Sequence, residues 1–357
     1  MSIIGKEESD LHLSPLVLKH TDEKIIVGID IGGSLSKLSI GVDKKDKDSI
    51  DFIRALTQFE EIKVNDYILF LAKFQPPQEA TLVNATSTIF PILRSLQSHF
   101  HIKTIQATGG GAHKFKEIAE TEFNLEFIKH DELLSLVNGY LFLNDSFYDV
   151  ENDPERNIVP IPSSNVTFPH IAVNIGTGVS IIKVGSPDPK DIKRMSGTIM
   201  GGGTLIGLAI SLLGVDNYND ILELAKKGDH TKVDLTVSDI HSNSEKDDDD
   251  ETVAASFGKI AEFIESSKME KVKKEDIALG LLCMICCHIT QLANFLAEKN
   301  KVNEILFLGS FTKRNSFAVL CLNMCMKYWN KNRKVRFNHY EGYLGAVGTL
   351  VEKRKNE

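Results

Sequence analysis

The residues of this chain best suited to chemistry are four glycine turns and the polar side chains beside them. The turns are Gly32 with Gly33, Gly109 to Gly111, Gly176 with Gly178, and Gly201 to Gly203. Lacking side chains, such turns let backbone N–H groups approach a phosphate and adopt positive φ. One alone is an ordinary tight turn; four in this arrangement predict a phosphate-binding site. The last opens an apolar helix from Leu205 to Leu213, and a helix start is an anion site in its own right. None matches the Walker pattern or a full dinucleotide fingerprint. Asp30 ends the apolar run Ile25 to Ile29 just before the first turn. A carboxylate there can hold Mg²⁺ while amides hold phosphates, and it can also simply cap its own turn. Lys37 can reach a phosphate as a mobile charge or stand as a solvated strand residue.

These residues need strands to carry them. Ile25 to Asp30 and the alternating segment Ser34 to Val42 predict a hairpin, and Lys44 to Asp48 a charged turn. Phe52 to Phe59 and Tyr67 to Phe74 read as further strands, and Leu82 to Phe100 has helical spacing. Thr104 to Thr108 and Leu125 to His130 read as strands, Phe115 to Phe123 and Glu132 to Leu143 as helices. The pattern then repeats: His170 to Ile175 runs into Gly176, Thr177 and Gly178, followed by Val179 to Val184. Overlaid, Asp30 meets Asn174, Gly32 meets Gly176 and Ser36 meets Ser180. A third unit, Glu304 to Leu308, ends in Gly309 before a helix. Such turns at strand ends line ligand crevices in open α/β sheets. The duplication predicts two lobes of similar topology around a nucleotide cleft, 24–168 and 169–357, after a flexible tail, 1–23. A polar stretch with Pro154, Pro160 and Pro162 separates the halves.

The chain has 357 residues, 42% of them hydrophobic, enough for two cores. Its 41 Lys and Arg against 49 Asp and Glu leave a net charge of −8, which argues against nucleic acid as a partner. Met1 to Lys24 has no basic start or long apolar stretch, and five cysteines sit in apolar helical patterns. Reduced core thiols and a cytoplasmic location are expected. Cys283, Cys286, Cys287 and His288 have a ligand-like spacing but lie in one apolar helix, against the two-segment habit of soft-metal sites. Ile277 to Ile289, too short to span a bilayer, reads as a buried helix, and no membrane partner is expected.

The blocks Gly28 to Lys37 (GIDIGGSLSK), Ala107 to Ala112 (ATGGGA), Asn174 to Ser180 (NIGTGVS), Gly197 to Thr204 (GTIMGGGT) and Glu341 to Ala346 (EGYLGA) carry a resemblance. In that order, from about Lys24 to Val351, the chain resembles the eukaryotic-type (type II) pantothenate kinases. The resemblance implies the α/β, actin-like/sugar-kinase-like (ASKHA) ATPase fold and the use of ATP with Mg²⁺. It also implies phosphorylation of pantothenate in coenzyme A biosynthesis, a homodimer, and feedback inhibition by acyl-CoA.

By the same resemblance Glu132, in the pair Asp131–Glu132, is the general base, and Arg194 is the substrate arginine with a catalytic share. Thr177, where the family mostly has Ser, and Ser180 add hydroxyl donors. Val253 and Ala254, in the block Val253 to Gly258, reach pantothenate from the partner subunit. The implied ATP set is Asp30, Gly32, Gly33, Ser34, Lys37, Gly110, Gly176, Gly178, Gly202 and, near the adenosine, Gly309, with Asp30 holding the metal. Tyr328 and Trp329 fit a helix end on the core, and the resemblance places them near an acyl-chain pocket. Two departures stand out. Ser242 to Glu251, with four aspartates from Asp247 to Asp250, replaces a Gly- and Tyr-rich loop. Tyr340, not His339, directly precedes the Glu-Gly-Tyr block. A kinase for a sugar or amino sugar, or a catalytically silent nucleotide-binding protein, are the alternatives on this fold.

Overall fold

The apolar runs become the central strands of two mixed sheets. The computed structural model describes residues 16–19, 23–32, 35–56, 59–74, 89–152, 158–162, 166–240, 252–262, 272–312 and 316–353. The chain divides into one unit of Met1–Asn144 with Leu344–Glu357 and a second of Asp145–Tyr343. This shifts the expected boundary at 168/169. Strands Phe147–Asn152 and Ile158–Pro162 belong to the sheet of the second unit, while helix Leu344–Thr349 returns to the first.

The six-stranded sheet of the first unit runs Glu60–Val64, Tyr67–Phe74, Ser36–Asp43, Ile25–Ile31, Thr104–Thr108, Glu126–Lys129. Ile25–Ile31 is antiparallel to Ser36–Asp43 and parallel to Thr104–Thr108. It is buried at every position except Asp30, so its sequence is continuously apolar rather than alternating. Ile29, Ile31, Leu38, Ile40, Leu93 and Phe115 form the core beneath.

The seven-stranded sheet of the second unit runs Ile192–Thr198, Val179–Val184, His170–Ile175, Glu304–Leu308, Lys334–Asn338, Phe147–Asn152, Ile158–Pro162. Its middle repeats the first sheet: an antiparallel hairpin, then two parallel strands. The register corrects the overlay made from sequence. Asp30 faces Lys37, but Asn174 faces Ser180. The first turn is one residue longer, so Ser180 occupies the place of Lys37 rather than of Ser36.

Two elements differ from expectation. Phe52 to Phe59, expected as a strand, lies mostly in helix Lys47–Leu56, which buries Ser49, Ile50 and Ile53 at helical spacing. The Asp46 carboxylate accepts bonds from the Ser49 N–H (3.1 Å) and hydroxyl (2.7 Å), a cap that starts the helix where a turn was expected to continue. The apolar helix expected at Ile277 to Ile289 extends to Lys274–Lys299, 26 residues, which by length and composition could cross a membrane. Its most apolar window is 61% buried within the fold, where Leu282, Ile285 and Ile289 enter the core. Of Leu82 to Phe100, helix Phe90–Phe100 is observed, and residues 82–88 lie outside the described residues, as do 1–15 and 20–22 of the expected tail.

Helix Glu132–Phe142 locks against Leu344–Thr349 through glycine. A Cβ on Gly139 would overlap the Leu344 carbonyl, and one on Gly348 the Ser135 carbonyl. We therefore expect Gly139→Ala and Gly348→Ala each to destabilise the chain by about 3 kcal/mol, since the obstacle is backbone. Gly207, in helix Gly202–Leu213, has nothing within 4 Å of an added Cβ. Gly207→Ala should stabilise by roughly 0.5 kcal/mol. Thermal denaturation of the three variants checks both signs.

Candidate functional site

In the first unit the polar end of the central strand gathers the expected residues. The Lys37 Nζ lies 3.5 Å from the Asp30 Oδ2, with only 12% and 18% of the two side chains exposed. A Cβ on Gly32 would stand 3.5 Å from that Nζ, so the ammonium lies over the first glycine turn. Gly109 takes φ +92°, and a Cβ there would come 2.5 Å from the Ile31 carbonyl oxygen and 2.7 Å from the Asp30 Oδ1. On the other side, a Cβ on Gly345 would sit 2.9 Å from the Asp30 Oδ2. Two glycine backbones thus clasp one carboxylate. Gly110 opens onto empty space, with nothing within 4 Å of an added Cβ.

Glu132 opens the next helix. Asp131 caps it, its Oδ1 accepting the Leu134 N–H at 2.9 Å. Partial burial pushes the Glu132 carboxyl above its ordinary range, Asp30 and Asp131 push the same way, and Lys37 opposes them. Glu132 therefore sits within electrostatic reach of the Asp30–Lys37 pair, which sequence spacing alone did not establish.

The second unit repeats the clasp around an amide. Gly309 takes φ +93°, and a Cβ there would overlap the Ile175 carbonyl and come 2.7 Å from the Asn174 Oδ1. Gly176, Gly202 and Gly309 converge here: the Gly202 N–H donates to the Gly176 carbonyl at 2.9 Å, and Phe311, just after Gly309, borders Gly202. This corrects the expected use of the amides. The N–H groups of Gly32, Gly111, Gly176, Gly202 and Gly203 donate to the carbonyls of Leu35, Ile31, Gly178, Gly176 and Thr177 at 2.9–3.1 Å. They hold the turns together instead of pointing at a ligand. Close backbone approach requires glycine at Gly111, Gly202 and Gly203, as at Gly201, whose Cβ would stand 2.8 Å from the Thr177 oxygen, whereas a Cβ on Gly176 would meet nothing nearer than 3.9 Å. Gly33 and Ser34 lie outside the described residues.

The expected substrate residues fall into two groups. The Arg194 Nε reaches the Ser180 hydroxyl at 3.5 Å, and Gly197, paired with Ser180 in the sheet, leaves room for the guanidinium. Thr177 is exposed on the adjoining turn with Gly178. Val253 and Ala254 instead line a cavity of about 660 Å³ with Met200, His288, Phe317 and Trp329. Among the described residues, Thr177, Ser180 and Arg194 are not in its walls.

The cavity contains residues that the motifs did not reveal. Asp234, fully buried, accepts the Phe257 N–H at 2.8 Å and places its Oδ2 3.3 Å from the His230 Nδ1. The Asp234 carboxylate raises the His230 pKa, against the effect of burial. The pair fixes the loop at Phe257, which holds a left-handed φ of +58°. A His and an Asp four residues apart were the available signal. His288 binds the Thr198 hydroxyl at 3.0 Å, and among the described residues no cluster of His, Cys, Asp and Glu is fit for a metal. His339 stacks on Tyr148 with centroids 4.5 Å apart, a packing role. The acidic stretch Ser242 to Glu251 lies outside the described residues.

With this geometry in place, comparison with known proteins is informative. A family model described as Fumble matches residues 26–352. The chain belongs to the Fumble family. This member is 32% identical to a pantothenate kinase of Schizosaccharomyces pombe, across 91% of this chain and 81% of that relative. It is 28% identical to pantothenate kinase 2 of Arabidopsis thaliana, across 96% of this chain and 40% of the relative. It is also 32% identical to the 4'-phosphopantetheine phosphatase of Mus musculus, across 91% of this chain and 40% of the relative. The Fumble chain thus spans most of the first relative and about two fifths of the other two. Component A of (R)-2-hydroxyglutaryl-CoA dehydratase from Acidaminococcus fermentans shares the fold, with a TM-score of 0.52 at 15% identity over 91% of this chain and 96% of that one. The family read from the sequence is borne out, as is the α/β, actin-like/sugar-kinase-like fold class.

The His230–Asp234 pair makes a pH prediction. The folded pKa of His230 lies above its ordinary 6.5, so the stability it contributes is fully present below pH 6.5 and lost as pH rises through the folded value. The difference in Tm between wild type and His230→Gln should be widest below pH 6.5 and close as pH rises.

Proposed function

We propose that this Fumble-family chain is a pantothenate kinase, transferring the γ-phosphoryl group of ATP to the primary hydroxyl of pantothenate to give 4'-phosphopantothenate, the first step of coenzyme A biosynthesis. The supporting observation is the meeting of Asp30, Lys37 and Glu132 in the first unit of a chain with this family membership. It also favours a kinase over a silent member of the fold and over the phosphatase named in the mouse relative, because phosphoryl transfer to an alcohol needs a base, a cation and a metal-binding carboxylate together.

Asp30 fits Mg²⁺: its carboxylate is held in place by Gly109 and Gly345 and keeps some exposure, as suits an ion that binds one or two carboxylates plus water and phosphate oxygens. Bound there, Mg²⁺ would offset phosphate charge. Lys37 presents its ammonium over the Gly32 turn to the same phosphates. Glu132 takes the hydroxyl proton as the new O–P bond forms and the bond to ADP breaks. Its raised pKa makes it a stronger base than an ordinary carboxylate. In the second unit Gly176, Gly178 and Gly202 serve ATP by the room their missing side chains leave, Gly309 borders the adenosine, and Arg194 with Thr177 and Ser180 binds the pantothenate carboxylate or the transferring group. Val253 and Ala254 stand apart from that trio within one chain, which supports the reading that they act in trans in a homodimer. Acyl-CoA as feedback inhibitor and a cytoplasmic location complete the proposal.

Turnover of the purified chain with ATP and Mg²⁺ on pantothenate, glucose and N-acetylglucosamine tests it. Pantothenate alone should be phosphorylated; a sugar phosphorylated in its place overturns the substrate. Glu132→Gln should lower kcat by about 10²–10⁴ with a similar KM for ATP, and an unchanged kcat removes the base. The wild-type rate should fall with acid through a pKa above the ordinary 4.5 of a glutamate, an inflection the variant lacks.

A further inference from the structure

Two helices of the second unit bring a pair of thiols together in the cavity wall. Cys287, on Lys274–Lys299, and Cys325, on Phe317–Trp329, place their sulfurs 3.0 Å apart, although 38 residues separate them in the chain. That is only about 1 Å longer than a disulfide bond. Both thiols are partly exposed and both line the cavity, so a small solute entering it meets them together. Cys286, on the same helix as Cys287, is fully buried and lies outside the cavity wall.

The surroundings give the two thiols different roles. The contact with Cys325 lowers the Cys287 pKa; burial opposes this, His230 assists and Asp234 opposes. The same contact, with burial and the neighbouring thiols, pushes Cys325 well above its ordinary range. Cys321, beside Cys283, is likewise pushed well up, by that neighbour and by burial, and is only 5% exposed. Cys287 is therefore the more readily ionised of the two thiols and the one suited to attack first.

We propose that Cys287 and Cys325 form a redox-modifiable dithiol site in the cavity wall, whose reactant is a low-molecular-weight disulfide such as oxidised glutathione. The Cys287 thiolate attacks one sulfur of the reagent, forming a mixed disulfide and releasing one thiolate. The Cys325 sulfur then attacks the Cys287 sulfur, breaking the mixed disulfide, and its proton passes to the departing thiolate. Two protein sulfurs are oxidised by two electrons in all, and the reagent is reduced to two thiols. The new bond ties the two helices together at the cavity wall.

The test incubates the folded full chain with oxidised glutathione, caps remaining thiols with maleimide and measures peptide masses after digestion. A cross-linked peptide joining Cys287 to Cys325, two hydrogens lighter than the reduced pair and lost on treatment with dithiothreitol, is the expected result. Cys325→Ser should stop at the mixed disulfide on Cys287, and Cys287→Ser should slow modification of Cys325 by at least about tenfold, as a neutral thiol is the weaker nucleophile. In unmutated protein the dithiol reagent phenylarsine oxide should protect both cysteines from maleimide together. A persistent mixed disulfide in wild type, a cross-link through Cys283 or Cys321, or no reaction while free cysteine reacts under the same conditions overturns the site. None of these readouts depends on kinase activity.

Discussion

The fold turns on one close approach, made once in each unit: a polar side chain at the end of a central strand with a positive-φ glycine laid against it. Gly109 presses on Asp30 and Ile31, Gly309 on Asn174 and Ile175, with nearly the same φ and the same two contacts. No side chain fits there, so the parallel strand must end in glycine and its chain must turn where the polar residue emerges. The turns that follow are then held by their own N–H groups. In each unit the glycines set a close-packed backbone around the polar residue, Asp30 in the first and Asn174 in the second.

The duplication also shows how one geometry acquires two chemistries. At matched places one unit carries a carboxylate facing a lysine, the other an amide facing a serine. The first pairs opposite charges, whereas in the second the Arg194 guanidinium stands 3.5 Å from the serine hydroxyl. The charged pair lies within electrostatic reach of Glu132.

Much of this was legible in the residues because buried parallel strands write continuous apolar runs and glycine turns punctuate them. Asp30, Lys37 and Glu132 gather in the first unit, and Arg194 meets Ser180 in the second. What failed did so for local reasons. Phe52 to Phe59 is apolar enough for a strand, but the Asp46 cap decides in favour of a helix. The one-residue difference between the two turns cannot be seen without pairing, so Ser36 was matched where Lys37 belongs. The His230–Asp234 pair and the Cys287–Cys325 contact join residues whose neighbours are set by how helices pack, which no motif records.

The first unit is not continuous in sequence. Strand Leu16–Leu18 finds its partner in Val351–Lys353, the Lys19 ammonium donates to the Thr349 carbonyl at 2.7 Å, and Gly345 closes on Asp30. On the ribosome, then, the earliest strands emerge long before the segment that completes them. The second unit can finish folding while the first still waits for helix Leu344–Thr349, so the Asp30 carboxylate acquires its final walls only after the whole second unit has been made.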